Sequence, residues 1–296
     1  MERRLGRIKA KIKRYRKNPL SLVLFILVTA SACITFAVLL FIIGFILYNG
    51  IPHITADLFA WEYSSENASL MPALINTIIM VFLSLILTVP TGVFAAVYLT
   101  EYTKKQSKLA AIIRITSETL SGIPSIVYGL FGFLFFVTTL KWGISLISGV
   151  FTVSVMVLPL IMRTSEEALR AVPESYREGN FGLGAGKLRT VLSIVIPAAF
   201  PGILSGIILA AGRIVGETAV LIYTSGTVAK IPSGRDFMFD SARTLSLHMY
   251  VLSSEGLYTK QAYATGAVLL FIVLAINRTS GFLAKRIMKG NKGWRK

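Results

Sequence analysis

Long apolar runs separated by shorter polar stretches form the main pattern of this chain. A helix needs about 20 mostly apolar residues to cross the hydrocarbon core of a bilayer. Six runs meet that requirement and predict membrane-spanning helices at residues 20–48, 72–99, 120–140, 144–162, 203–223 and 262–276, the last continuing to about residue 283. Pro90 is expected to bend the second span, and Pro197 and Pro201 to bend or interrupt the start of the fifth, because proline offers no N–H to a helix.

The composition agrees with an all-α integral membrane protein. Of the 296 residues, 54% are hydrophobic and 15% are charged, whereas soluble chains carry about 25% charged residues. Cys33 is the single cysteine, so no disulfide scaffold is expected. His53 and His248 have no His or Cys partner at ligand spacing, so no metal site is expected either.

The basic residues are divided unequally between the two sides that six spans define. Of the 31 Lys and Arg residues, 25 fall in the tail before residue 18, the loop after the second span, the loop from Arg163 to Thr190 and the tail from Arg278. Five lie in the opposite loops, and Arg213 lies within a span. Because Lys and Arg accumulate in cytoplasmic loops, both termini are expected in the cytoplasm.

The basic tail at residues 1–19 is interpreted as a topology signal in contact with anionic lipid, and a second basic tail is expected at residues 284–296. A net charge of +17 on a soluble protein would suggest nucleic-acid binding. No aromatic platform or folded basic module accompanies the tail, so nucleic acid is not an expected partner. The first apolar run is too long for the h-region of a signal peptide, so we expect it to be a retained span at residues 20–48.

A long polar loop joins the fourth and fifth spans at residues 163–197. Pro173 is typical of the start of a short helix, which would carry Glu174 and Glu178. A glycine-rich turn follows, and after it an apolar stripe returns at helical spacing, at Leu188, Val191, Leu192 and Val195. The loop is therefore predicted to form a helix–turn–helix elbow. Such a surface suits docking into a groove of a soluble partner, although an ordinary structured loop fits the periodicity equally well.

The glycines of this turn do not predict a nucleotide site. A Walker A motif needs Gly, four residues and then Gly-Lys-Ser/Thr, after a buried strand. Here Gly186-Lys187 is followed by Leu188, Phe181 stands at the first glycine position, and no strand is predicted before it. ATP and its magnesium are therefore expected on another chain, with no cofactor and no catalytic residue on this one.

The fifth predicted span carries two charged residues. Gly202, Gly206, Ala210, Arg213 and Glu217 form a row at helical spacing, in which the small residues let a neighbouring helix approach. Because charges within a span are costly, Arg213 and Glu217 are predicted to neutralise each other as an i,i+4 pair that faces a protein interface or a water-filled passage. One interpretation is a structural ion pair. The other is a substrate path in which the planar Arg213 guanidinium offers an anion a fixed positive site.

The third predicted span is rich in helix-perturbing residues, which are expected to allow a locally irregular helix in close contact with its neighbours. Arg114 and Glu118, near its start, are predicted to form an i,i+4 ion pair. No nucleophile and base stand at catalytic spacing, which argues against an intramembrane enzyme. The expected packing or kink positions over the whole chain are Pro90, Gly122, Pro124, Gly129, Gly202, Gly206, Gly212 and Gly216.

The loop between the fourth and fifth spans resembles the EAA loop of ABC importer permeases. In that family Glu-Ala-Ala is followed after three residues by Gly, and after nine more by Ile-x-Leu-Pro. This chain keeps the spacing from Glu178 through Gly184 to Ile194 and Pro197, with Gly-Asn in place of the two alanines and Ile196 in place of the leucine.

Three further segments narrow the resemblance to the permeases of phosphate importers. These are residues 121–132, residues 158–169 and the run Gly212-Arg-Ile-Val-Gly-Glu-Thr218. Residues 247–256 and the compact length resemble the PstA type of permease more than the PstC type. The similarity extends over residues 71–277, which is most of the chain.

The resemblance implies a type I ABC importer permease fold with a five-helix core at residues 71–283. It implies a subunit of an ATP-driven phosphate importer in the inner membrane of a prokaryotic cell. The implied partners are inorganic phosphate, a PstC-like second permease, a homodimeric PstB-like ATPase and an extracytoplasmic PstS-like phosphate-binding protein. By the same resemblance the loop at 163–197 holds the helices that enter the ATPase clefts, with coupling residues Glu174, Glu178, Gly179, Gly184, Lys187, Ile194 and Pro197.

Other transport functions stay open at this point. A PstC-type permease, or a permease for sulfate or molybdate, fits the same motifs. An ion-coupled secondary transporter fits less well, because it would need internal repeats and acidic residues near the membrane midplane. The first, second, fourth and sixth predicted spans contain no acidic residue.

Overall fold

A computed structural model describes residues 19–104 and 107–291, and these residues contain helices and no strand. The helices are α1 (Pro19–Gly50), α2 (Met71–Val97), α3 (Lys108–Ser121), α4 (Ser125–Gly132), α5 (Leu146–Arg170), α6 (Glu174–Gly182), α7 (Lys187–Thr190), α8 (Ile196–Val215), α9 (Leu221–Thr224), α10 (Leu245–Glu255) and α11 (Thr259–Asn291). Three π-helical segments extend or join them, at Tyr98–Tyr102, Phe133–Thr139 and Val191–Val195. Of the basic tail predicted at residues 1–19, residues 1–18 lie outside the described residues. Of the one predicted at 284–296, residues 284–291 belong to α11 and residues 292–296 lie outside the described residues.

Five helical stretches of the described chain are long and apolar enough to cross a membrane: Leu20–His53, Met71–Tyr102, Leu146–Arg170, Lys187–Val215 and Thr259–Thr279. A sixth span arises if the pair Lys108–Ser121 and Ser125–Thr139 is counted as one. The multi-pass helical architecture is therefore confirmed. α2 continues through Pro90.

The third predicted span is irregular, as its glycines and proline predict, but the irregularity is a full break that separates residues 120–121 from the helix over residues 125–139. α3 and α4 meet at an angle of 101°. α3 ends at Ser121, with Gly122 as its C-terminal cap, and Pro124 precedes the first turn of α4 with extended backbone. Proline disfavours a helical conformation in the residue before it and offers no N–H, so the two segments do not join smoothly.

The fifth predicted span is wrong in its bounds. The helix begins at Lys187 rather than at residue 203, and it ends at Val215 rather than at residue 223. Pro197 does not interrupt it, because it stands in the first turn of α8 behind the π-helical turn Val191–Val195, whose wider hydrogen-bond register tolerates a residue without an N–H. The helix stops at Gly216, where the chain turns.

α2, α5 and α8 pack side by side at the centre of the bundle. Their shared core includes Met80, Val153 and Ile214, all of which are fully buried. Gly92 lets α2 approach α5 closely, because a Cβ at this position would lie 2.9 Å from Ile161 Cγ2. A hydroxyl contact supplements the apolar packing, in which Ser154 Oγ donates to the carbonyl of Ser84 at 3.3 Å.

The two ends of the bundle are distinguished by the segments that they contain. The elbow end contains α6, α7 and the last turn of α2, around a core that includes Leu99, Leu169 and Val191. The distal end contains residues 51–70 and 216–258, around a core that includes Leu58, Leu70 and Leu245.

α1 lies at the margin of the bundle. It rests on α11 near Gly50, and the rings of Phe45 and Tyr263 meet edge to face at 5.8 Å. The most apolar stretch of α1 is not buried by the rest of the described chain. That surface is left for lipid or for another subunit.

Candidate coupling elbow and substrate path

The helix–turn–helix elbow predicted between the fourth and fifth spans is present. α5 ends at Arg170, and α6 starts directly after Pro173. Gly184 has φ +83°, a backbone conformation that favours glycine, and it reverses the chain after α6. Asn180 Nδ2 then donates to Thr190 Oγ1 at 2.8 Å, so a side chain of α6 is tied to the end of α7. The elbow is a folded unit.

The elbow presents an exposed apolar surface. Leu183 at the turn is 87% exposed, and Phe181, Leu188 and Leu192 are also exposed. Val191 and Val195, from the same predicted stripe, pack instead into the core of the elbow end. The stripe thus divides into an inward half that holds the elbow and an outward half that is free to contact a partner.

The predicted coupling residues follow the same division. Glu178 and Gly179 are exposed on α6, Pro197 is exposed in α8, and Ile194 is half-buried. Lys187 begins α7, and its Nζ lies 5.1 Å from the centre of the Tyr102 ring at the end of α2. This contact links the elbow to the second span.

A second link joins the elbow to α2. Arg177 of α6 and Glu101 of the π-helical turn at the end of α2 form an ion pair with Nη2 2.7 Å from Oε1. The side chains are 9% and 7% exposed. Sequence reasoning missed this pair, since 76 residues separate its members and no periodicity relates them.

Next to this pair lies a cleft of about 640 Å³ at the elbow end. Its basic lining residues are Lys104, Arg114, Arg170, Arg177 and Lys187, and its acidic ones are Glu101 and Glu174. Both carboxylates bind Arg177. The cleft is lined by the end of α2, by α3 and by the elbow, and the Arg177–Glu101 pair forms part of its wall.

The ion pair predicted between Arg114 and Glu118 is wrong. Arg114 Nε donates instead to Glu166 Oε1 of α5 at 2.8 Å, and Arg170 Nη2 reaches the same oxygen at 2.6 Å. Glu166 is largely buried, whereas the neighbouring Glu167 pairs with Arg163 on the exposed face of α5. A buried carboxylate attracts charged donors more strongly than an exposed one, which explains the choice of Glu166.

The predicted pair of Arg213 and Glu217 is also wrong. Arg213 lies in the last turn of α8, but Glu217 lies beyond the helix end, so the i,i+4 geometry does not exist. The buried Glu217 carboxylate accepts the backbone N–H of Val220 at 3.2 Å, and Ser246 Oγ donates to its backbone carbonyl at 2.6 Å. The Glu217 side chain thus gives the Val220 N–H the hydrogen-bond acceptor that a continuing helix would have supplied.

Arg213 is left exposed and forms no ion pair within the part of the chain that the structure describes. It lies close enough to Tyr128 of α4 for its charge to act on the phenol. The Tyr128 hydroxyl donates to the carbonyl of Leu120 at 2.8 Å, across the break between α3 and α4. An unpaired guanidinium therefore stands beside a broken helix.

The row of small residues on α8 faces α5 over half its length. A Cβ at Gly202 would lie 2.6 Å from Ala168 Cβ, and Gly206 lies against Thr164 even more closely. Gly212 has open space around it, and Gly216 meets only its own helix. Close packing thus ends before the turn that carries Arg213.

Gly129 and Gly122 differ in the same way. A Cβ at Gly129 would lie 2.9 Å from the carbonyl oxygen of Ala219, so α4 packs tightly on the turn after α8. A Cβ at Gly122 would lie 3.4 Å from the carbonyl oxygen of Thr119, in its own helix end. Gly129 is thus a packing position, and Gly122 marks the break.

The distal end contains a buried polar cluster that the sequence did not indicate. His248 is fully buried in α10, and its Nδ1 lies 3.3 Å from Arg243 Nη1. The Arg243 guanidinium also lies over the ring of Tyr63 at 5.4 Å. Burial, and then the neighbouring Arg243 charge, lower the pKa of His248 to about 4. The histidine is therefore neutral at pH 7.

The fold is one found in ABC transporters. A chain in the crystal structure of a bacterial alginate ABC transporter, solved with an alginate pentasaccharide-bound periplasmic protein, has a TM-score of 0.65 at 15% identity, covering 94% of this chain and 98% of that one. A chain of the inward-facing MetNI methionine ABC transporter has a TM-score of 0.56 at 19% identity, covering 74% and 94%. The fold thus places the chain in a class of helical membrane proteins that have an elbow between two spans.

The chain belongs to the family of binding-protein-dependent transport system inner membrane components, whose model matches residues 88–289. It is 32% identical over 273 residues to the probable ABC transporter permease YqgI of Bacillus subtilis, covering 87% of this chain and 92% of the relative. It is 33% identical over 231 residues to the phosphate transport system permease PstA 2 of Mycobacterium bovis, covering 76% and 75%. With PstA 1 of Mycobacterium tuberculosis it shares 32% over 213 residues, covering 71% and 69%.

The chain is therefore an ABC importer permease subunit of the PstA type. It is a multi-pass membrane component of a transporter and not itself an enzyme. Membership of the family implies an ATPase and a substrate-binding protein as partners.

Proposed function

We propose that this chain forms half of the translocation path of a phosphate importer in the inner membrane of a prokaryotic cell. The names of the PstA relatives support phosphate as the substrate. The observation that carries the proposal is Arg213, which is exposed at the end of α8 and free of a carboxylate partner in the described chain. A guanidinium presents several N–H donors in one plane and so suits a tetrahedral oxyanion.

In this proposal Arg213 contacts phosphate, and Glu217 has a positioning role. Glu217 holds the turn after α8 by accepting the Val220 N–H. This contact fixes where the helix ends and hence the position of the Arg213 guanidinium in its last turn. Tyr128, in the helix that follows the break between α3 and α4, lies close enough to Arg213 for the guanidinium charge to act on its phenol. Irregular backbone at membrane depth is stable only where protein or a water-filled cavity surrounds it, which fits a path lined by the break.

The partners follow from the same assignment. The elbow end faces the cytoplasm, where α6 and the turn at Gly184 dock into a homodimeric PstB-like ATPase that binds ATP and magnesium. A PstC-like permease supplies the second half of the path, and a PstS-like protein delivers phosphate to the distal end. This chain binds no nucleotide. Closure of the ATPase pair displaces the elbow, and the spans rock as rigid bodies.

Reconstitution tests the substrate. The permease pair and the ATPase are placed in proteoliposomes, and ATP hydrolysis and uptake are measured with binding proteins for phosphate, sulfate and molybdate. Stimulation by the phosphate-binding protein alone, with uptake of radiolabelled phosphate, is the expected result. Stimulation by the sulfate or molybdate protein, or uptake driven by an ion gradient without ATP, would overturn the proposal.

A further inference from the structure

The Arg177 guanidinium uses every N–H donor that it has. Nε and one N–H of Nη2 bind the Glu101 carboxylate, at 3.1 and 2.7 Å. The other N–H of Nη2 donates to the carbonyl of Leu169 at 3.0 Å, and Nη1 donates to the carbonyl of Val172 at 2.9 Å and to Glu174 Oε2 at 3.3 Å. Arginine has five N–H donors, so the group is saturated.

These five bonds join three separate parts of the chain. Glu101 belongs to the end of α2, Leu169 lies in the last turn of α5, and Val172 lies in the corner that follows α5. Arg177 and Glu174 belong to α6. A side chain held from three sides cannot rotate without losing several hydrogen bonds together. It therefore transmits a displacement rather than absorbing it.

We propose that the Arg177–Glu101 pair is the joint that carries movement of the elbow into α2. This inference rests on the proposed function, in which the ATPase moves the elbow. The remaining ion pairs of the described chain involve side chains with more exposure, such as Arg163 and Glu167 at 60% and 65%, which water screens. In the joint both partners are buried, so separating them would leave uncompensated charge away from water.

The joint is connected to the core of the bundle through α2. Glu101 ends the span that packs along α5 through Met80 and Gly92. Arg114 Nη2 donates to the carbonyl of Leu99 at 3.2 Å, so α3 holds the same end of α2. A displaced α2 end would therefore also move α3, whose other end is the break beside Arg213.

The geometry requires arginine at position 177. Lysine has three donors on a single nitrogen, so it cannot bind the Glu101 carboxylate from two separate nitrogens and reach both backbone carbonyls as well. Arg177→Lys keeps the charge but removes the multiple attachment. Glu101→Gln keeps an acceptor and the size but removes the charge that holds the pair.

The test measures ATP hydrolysed per phosphate transported, in the full reconstituted complex. Glu101→Gln and Arg177→Lys are each expected to raise this ratio by about fivefold or more, which is the lower range of coupling between sites. Glu167→Gln is the matched control, because it makes the same chemical change on an exposed pair within one helix. The ratio should stay at the wild-type value in the control.

A distance measurement separates transmission from a general loss of structure. Spin labels replace the exposed residues Phe94 on α2 and Leu209 on α8, in a Cys33→Ser background that removes the single native cysteine. α8 is continuous with the elbow, whereas α2 is a separate helix that meets the elbow through the joint and through the Lys187–Tyr102 contact. With the joint intact, nucleotide should move both helices together. In Glu101→Gln the α2–α8 distance should change on nucleotide binding by more than in the wild type.

The outcomes distinguish the two proposals. If the wild-type complex does not transport phosphate, the proposed function fails. If the wild type transports phosphate and Glu101→Gln keeps both the wild-type ratio and the wild-type distance response, the joint fails. A charge-swapped Glu101→Arg, Arg177→Glu double variant that recovers part of the coupling lost in either single variant would support the pair itself.

Discussion

The Glu217 carboxylate accepts the backbone N–H of Val220 at 3.2 Å, and no ion pair joins it to Arg213 in the described chain. Val220 lies three residues beyond Glu217, in the turn that follows α8. The two charged residues therefore have separate tasks. One stabilises a turn, and the other presents a free positive charge.

Arg213→Gln is expected to lower phosphate uptake by about tenfold or more, because it removes a charge-assisted hydrogen bond from the path and such a bond contributes about 1.5–3 kcal/mol. Glu217→Gln should keep most of the uptake, since the amide oxygen still accepts from the Val220 N–H. Uptake of labelled phosphate by the reconstituted complex measures both.

Arg235→Gln is the control for Arg213, because it removes an exposed positive charge that lies in the loop between α9 and α10 rather than at the end of α8. It should leave uptake unchanged. Normal uptake in an assembled Arg213→Gln complex would remove Arg213 from the path. A stronger defect in Glu217→Gln than in Arg213→Gln would show that the assigned tasks are reversed.

Gly206→Ala is expected to destabilise the protein, because its Cβ would collide with the Thr164 side chain on α5. Overpacking of a tight interface costs about 1–3 kcal/mol. Gly212→Ala makes the same change on the same helix in open space, and it should be neutral or stabilising, since alanine favours a helix over glycine by up to about 1 kcal/mol. Thermal unfolding in detergent compares the two variants, and equal melting temperatures would contradict the packing described for α8.

Gly184→Ala is expected to weaken the elbow. Alanine at φ +83° costs about 1–2 kcal/mol, so the turn would shift or α6 would fray. Gly186→Ala is the matched control, because Gly186 has φ −72° and open space around it. The measurement is binding of the purified ATPase to the permease pair, which should weaken for Gly184→Ala alone. Equal binding by both variants would show that the turn does not position the docking surface.

Acid is expected to destabilise the distal end through His248. Its pKa is lowered from 6.5 to about 4 in the folded protein. Between those values the unfolded chain binds more protons than the folded one, so stability is complete above pH 6.5 and falls as the pH drops towards 4. The loss over this window is on the order of 3 kcal/mol.

His248→Gln should flatten the fall in melting temperature between pH 6.5 and 4. His53→Gln is the control, because it changes the other histidine of the chain, which is half-buried at the distal end. It should keep the wild-type pH dependence. If His248→Gln leaves the slope unchanged, another group controls the response to acid.

Periodicity and charge predicted much of this fold, and particular residues show why they did not predict the rest. An apolar run reports where a helix can be buried, so α1, α2, α5 and α11 lie close to their predicted positions. The same run does not indicate whether the helix is unbroken. Pro124 breaks a helix and Pro197 does not, and the difference depends on the neighbouring backbone, namely an extended residue in one case and a π-helical turn in the other.

The candidate site shows the same limit for ion pairs. Spacing placed the partner of Arg114 one turn away on its own helix, but the partner is Glu166, which is 52 residues distant and largely buried. The Arg177–Glu101 pair has no local signal either, because packing of separate helices creates it. Glu178, Gly184 and Pro197 were found from a spacing within one loop, where sequence distance and spatial distance still agree.

The side of the membrane on which the elbow lies is open to a direct test. Leu183 is 87% exposed at the turn of the elbow, and Leu257 is 82% exposed at the distal end. Each is replaced by cysteine in a Cys33→Ser background and treated with a membrane-impermeant maleimide in sealed vesicles of known orientation. Leu183→Cys should react only in inside-out vesicles and Leu257→Cys only in right-side-out ones, because the six predicted spans put 25 of the 31 basic residues of the sequence on the side of the loop at 163–197. If Leu183→Cys reacts from outside the cell, a cytoplasmic ATPase cannot reach the elbow, and both the docking surface and the Arg177–Glu101 joint lose their function.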